Sequence, residues 1–191
     1  GAVTVLIAAF LALPEAFFAA TLNAGDPQRD GNTWTFEKTY ALLGMKLELE
    51  VTAGSPNSLA MKVTSLRDDA WDLDRWTWFT ATWTATSGQW VFNDPTLDAR
   101  VLTIDWERAS ETDKTLTFTN VNEGGQGYND TVMYDLNGTT ATFEIFDASE
   151  DDTFTVTWDT VAGDGQMTAP NDDEYCWDTI ENGQEDIIPC P

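Results

Sequence analysis

Histidine does not occur anywhere in the 191 residues. Its absence removes the commonest general base, the Ser-His and Cys-His nucleophile systems and the commonest transition-metal ligand. Basic residues are scarce as well: Lys plus Arg number 9 against 33 Asp plus Glu, a net charge of −24. Such a field repels phosphate backbones, which excludes nucleic acid as a partner. Cysteine is limited to Cys176 and Cys190. A zinc site built on that pair would need further soft or imidazole ligands, and the chain has none to offer. The pair brackets CWDTIENGQEDIIPC, which reads as one disulfide in an oxidising compartment: extracellular, cell surface or periplasm. The competing reading is two free, buried thiols. No fixed-period repeat of the kind that marks a solenoid or propeller is present.

What the first residues lack is charge. GAVTVLIAAFLALPEAFFAATL, residues 1–22, carries only Glu15. Four readings stay open. A signal peptide would have a basic region first, and no Lys or Arg precedes Arg29. A membrane anchor is long enough, because 22 helical residues reach about 33 Å, but Pro14 and Glu15 interrupt it and no basic residue flanks it. The stretch could also join its own domain's core. The expectation favoured here is an assembly segment, covered by neighbouring subunits in a homo-oligomer or filament. Val3, Val5, Leu6, Ile7, Phe10 and Leu11 suit an apolar strand that completes another subunit's sheet. Pro14 to Leu22, with Phe17 and Phe18, suits a short helix with proline in its first turn and Gly25 past its end.

After a link rich in Gly, Pro, Asn and Asp (residues 23–32), the chain alternates with period two, the mark of half-buried strands. Trp34, Phe36 and Tyr40 share a face. Met45, Leu47, Leu49 and Val51 point one way, and Lys46, Glu48 and Glu50 the other. RWTWFTATWTAT, residues 75–86, puts Trp76 and Trp78 on one face and Phe79 and Trp83 on the other, as a central strand or one crossing between layers would. Asn137-Gly138 is a strong hairpin signal. About ten or eleven short strands with short links predict an all-β antiparallel meander, closed as a barrel or folded as a sandwich, with an apolar N-terminal strand/helix extension. The expected division is residues 1–25 as the assembly segment and 26–191 as one β-rich domain.

Chemistry-bearing constellations are sparse. Acidic clusters at Asp68, Asp69, Asp72 and Asp74, at Glu150 to Asp152, and at Asp172 to Glu174 have the oxygen ligands calcium takes, but none matches a calcium-loop pattern. Solvated loops are the plainer reading, so no cofactor or metal is expected, with calcium kept as an open alternative. Carboxylate pairs for glycoside cleavage could be nominated anywhere among so many acids, and no enzymatic activity is expected. Nine tryptophans are many for this length. Trp34, Trp106 and Trp158 belong to apolar strand faces and are expected in the core. Trp71, in a charged loop, and Trp177, between the cysteines, are the candidate ligand-binding residues. Asn129-Asp130-Thr131 and Asn137-Gly138-Thr139 match the N-glycosylation acceptor pattern.

Two resemblances follow from these residues. FEIFDASEDDTFTVTWDTVAGDGQMTAP with the later CWD and PCP resembles small exported β-proteins of Gram-negative bacteria, which implies location and no activity. The order of apolar N-terminus, β-rich body and Cys-delimited C-terminal loop resembles filament subunits of the pilin kind. Val5 stands where type IV pilins carry Glu, and Gly25-Asp26-Pro27 stops the apolar segment, so the donor-strand type is the nearer likeness. That resemblance implies an extracellular structural subunit assembling through its N-terminus. The alternative is a secreted or cell-surface module binding a glycan or an apolar ligand.

Overall fold

The computed structural model describes residues 26–67, 72–177 and 188–190. All described regular structure is β-strand, and neighbouring strands run antiparallel. The chain divides into two compact units, one holding the described residues up to Trp83 with Asn93–Asp98, the other Thr84–Phe92 with those from Ala99 onward. The leader's expected strand and helix lie outside the described residues.

In the first unit, β1 (Gln28–Asp30), β2 (Thr33–Tyr40), β3 (Met45–Thr52), β4 (Asn57–Ser65) and β5 (Trp76–Trp83) pair in chain order. Alternation builds its core as read from the sequence. Phe36, Leu49, Met61 and Phe79 stand opposite one another across four strands. Leu47, Leu49, Met61 and Phe79 are wholly buried.

Two expectations fail here. Gln28 to Asp30 is a strand, not part of a turn-rich link. It contains no apolar residue, so periodicity could not reveal it; what holds it is backbone pairing to Thr33–Thr35 and the Arg29 guanidinium 5.0 Å above the Trp34 ring. Strict alternation along β5 also breaks. The register shifts at Met61/Lys62: Met61 faces Phe79, yet Lys62 faces Thr77 and Val63 faces Trp76. Trp78 is the extra residue of a β-bulge, which re-aims side chains and bends its strand. Trp76 and Phe79 therefore share the apolar face instead of opposing each other.

In the second unit, β6 (Ser87–Asp94, its last two residues counted with the first unit) precedes β7 (Ala99–Ser110), β8 (Asp113–Asn120), β9 (Thr131–Asn137), β10 (Thr140–Asp147), β11 (Asp152–Asp159), β12 (Gly165–Thr168), β13 (Glu174–Trp177) and β14 (Ile188–Pro189). β7 through β14 pair successively. Trp106, Leu116, Tyr134, Phe143, Val156, Met167 and Tyr175 form one half-buried row across seven strands. The other face carries Thr115, Asp135, Thr142, Thr157 and Gln166.

Within each unit the strands pair only with their neighbours in chain order among the described residues, so neither run of strands closes on itself as a barrel. The Asn137-Gly138 hairpin forms, shifted by one residue. Asn137 pairs with Thr140, and Gly138 (φ 65°) takes the first loop position. A glycine there is the demand of a II′ turn.

Candidate functional site

Each unit carries a cleft, and the bulge shapes the first. Leu43, Met45, Val63, Ser65, Leu73, Trp76, Trp78 and Pro95 line a cavity of about 460 Å³. That lies inside the range of small-molecule sites. Among the described residues lining it, none carries a charge. Its walls are tied by polar contacts behind the apolar surface. Trp76 Nε1 donates to Asp98 Oδ1 (3.4 Å), and Asn93 Nδ2 donates to the Thr77 carbonyl (2.9 Å). Arg67 Nη2 donates to the Leu42 carbonyl (2.8 Å), and the Leu66 amide donates to the Gly44 carbonyl (2.8 Å).

The segments that form this cleft also expose leucines. Leu42 is 93 % exposed, Leu43 57 %, Leu66 50 % and Leu97 53 %. Leu43 lines the cavity, and the other three lie next to or near lining residues in the chain, so exposed apolar side chains concentrate in these segments of a chain of net charge −24. The pair Leu42-Leu43 in a hairpin was the available sequence signal. The bulge that brings Trp78 to the cleft left none.

The polar face behind the first unit's core is a charge network. Glu48 lies on the face opposite Leu47 and Leu49, as read from the sequence, and is buried there. Arg75 Nη2 and Nε donate to Glu48 Oε1 at 2.5 and 3.1 Å, and Nη2 also reaches Glu50 Oε1 at 3.0 Å. Lys62 Nζ donates to Glu50 Oε2 at 2.5 Å. That hydrogen bond holds the Glu50 carboxyl below its usual range, and the one from Lys46 does the same for Glu37. The bond to Glu48 raises Arg75. Each of these carboxylates thus has a cationic partner.

The second cleft, about 440 Å³, includes Trp158, Trp177, Asp159, Asp164, Gly165 and Gln166. Trp177, one of the sequence's two candidates, is thus at a cleft. Trp71, the other, and the assembly residues Val3, Val5, Leu6, Ile7, Phe10, Leu11, Phe17 and Phe18 lie outside the described residues. Trp34, Trp106 and Trp158 are half-buried, and Trp158, opposite the buried Ala141 and with its ring 6.2 Å from that of Tyr134, also lines the second cleft. Cys176 and Cys190 form the expected disulfide. Among the described residues no three acidic or cysteine side chains gather as an ion-holding group, and Asp68 and Asp69 are outside them. No helix among them is long and apolar enough to cross a membrane. Asn129 is exposed in a turn and Asn137 is exposed at the end of β9.

No protein-family model, no curated protein and no solved structure matches this chain.

Proposed function

We propose that the chain is a non-enzymatic binding module of an extracellular or periplasmic compartment, and that it holds a small, uncharged apolar molecule in the Trp76–Trp78 cleft. The observation that carries this reading is a cavity whose described lining has no charged residue and includes the exposed Leu43, on a chain of net charge −24. Apolar surface costs about 25 cal/mol per Å² to leave in water, and an apolar ligand recovers part of that. The surrounding negative field disfavours anionic ligands, fatty acids included. None of the described residues lining the cavity is titratable. The disulfide is compatible with export.

The test uses a neutral probe, Nile red, with 1-dodecanol as competitor. Saturable emission displaced by the alcohol is expected. Leu43→Asp, a change at an exposed rim position, is expected to weaken binding about tenfold or more, which corresponds to about 1.4 kcal/mol. Non-saturable emission, or equal binding by the variant, would refute the reading.

The apolar leader supports a second, compatible role. Residues 2–22, with one charge among them, contrast with a body dense in carboxylates, and contiguous apolar surface of that kind associates. The reading is self-assembly into an oligomer or filament through Val3 to Phe18.

A further inference from the structure

The second unit's sheet leaves an apolar face open. The row from Trp106 to Tyr175 is half-buried, and so are Thr115, Asp135, Thr142 and Thr157 on the polar side, so the apolar side is sealed no better than the polar one. Beside that row runs a second, Ile104, Phe118, Val132, Ile145 and Phe154, in register across five strands. Of these five only Ile104 is buried. The first unit differs: Leu49, Met61 and Phe79 in its own row are wholly buried. Neither row of the second unit contains a charge. Contiguous apolar surface of this kind marks a docking face.

The leader has the complementary pattern. At about 100° per residue, the turn of an α-helix, every Leu, Ile and Phe of residues 2–22 falls on one half of the circle together with Val3. Every Ala falls on the other half with Glu15, and Val5 is the one large apolar residue out of place. A segment laid on a sheet face has no strand beside it, so its amides must bond to its own carbonyls, as a helix does. Strand addition is the other route to burial, but the first and last described strands, β1 and β14, are three and two residues long and offer an apolar strand little edge. The dimensions agree with a helix. Seven strands about 4.8 Å apart give the row a length of roughly 29 Å, and 21 helical residues reach about 32 Å. Two rows about 7 Å apart fit beneath a helix about 10 Å across. Pro14 costs such a helix one internal hydrogen bond and bends it.

We propose that residues 2–22 of one copy form a helix whose bulky half lies on the apolar face of the second unit of another copy. The proposal rests on the self-assembly reading and names the surface that receives the leader. Charge favours this occupant. Docking the leader brings one charge to the face, Glu15, on the half turned away from it, whereas joining two such faces sets two chains of net charge −24 body to body.

The experiment puts p-benzoylphenylalanine in place of Phe10, mixes isotopically labelled with unlabelled full chains, irradiates the assembly and maps the crosslinks by mass spectrometry. Crosslinks from position 10 of one copy to β7–β12 of the other are expected. The described residues contain no helix, so helical ellipticity that rises with assembly reports the leader. Ile145→Glu is expected to weaken assembly at least tenfold, and the crosslinks decide the matter if that variant fails to fold. An intact assembly whose crosslinks stay within one chain, or run to the first unit's leucines, to β1 or to β14, overturns this inference and leaves self-assembly standing. So does an assembly without the helical signal. Flotation with neutral phosphatidylcholine vesicles, with loss of the mixed crosslinks, gives the leader to a bilayer and also overturns it. A monomer at every salt concentration overturns this inference and the self-assembly reading together.

Discussion

Phe79 is wholly buried, and Trp78, one residue earlier, lines the first cleft. The inserted residue at the Met61/Lys62 shift decides both placements. Removing the Phe79 ring leaves a cavity among Leu49 and Met61 that their strands cannot close, so Phe79→Ala should cost about 3–5 kcal/mol. Leu42→Ala, at 93 % exposure, should change stability by less than about 0.5 kcal/mol. Urea denaturation followed by tryptophan emission checks both. An equal loss from the two would mean that burial is misassigned. The sequence made half of this legible. Leu47 and Leu49 follow from period two because β3 is regular. Trp76 and Phe79 do not, since a bulge moves side chains between faces with no residue type that announces it. Period two assigns Glu48 its face but not its burial, because the Arg75 side chain that bonds it there comes from 27 residues away.

At the scale of the turn, three tight turns repeat one device. Asp94, Asp147 and Asp159 each accept two amides two and three residues ahead with a single Oδ1. Each loop then closes on a left-handed residue: Asp98 (φ 48°), Asp151 (φ 57°) or Gly163 (φ 83°). Aspartate serves because its short carboxylate reaches the amides of its own turn. The Thr96, Ser149 and Thr139 hydroxyls, with those amides, hold the three carboxyls below their ordinary range. Folded pKa values that lie below the unfolded ones stabilise the fold above the unfolded pKa, near 4. That stability is lost as pH falls through the folded values. Glu37 and Glu50 act in the same direction. The thermal midpoint should therefore fall progressively below about pH 4, with the unfolded state taking up protons. Asp147→Ala should lower the midpoint by about 2–4 °C at pH 7 and by less at pH 3. An equal loss at both pH values would remove the carboxylate from the account. These turns were visible in sequence as recurrent Asp-containing links, whereas β13 and β14 were not, because four residues and two residues give alternation nothing to work with.

For the whole molecule the governing quantity is charge. A net −24 makes copies of the chain repel one another, and at about 0.15 M salt the repulsion is screened beyond roughly 8 Å. Any association must then be short-ranged and apolar, and must strengthen as salt rises. The leader has that character, and so do the exposed leucines around the first cleft. The two sources can be separated. If the leader drives assembly, light scattering of the full chain should report a mass above 21.2 kDa that grows from about 0.05 to about 1 M NaCl, because the Debye length shrinks from more than 10 Å to about 3 Å. A variant lacking residues 1–13 should stay at its own monomer mass throughout, and Leu43→Asp should assemble like the parent. If Leu43→Asp dissolves the assembly and the truncation does not, the contact belongs to the leucines. A full chain that stays at monomer mass across the salt range ends the assembly reading and leaves the two clefts as the means by which this fold meets a partner.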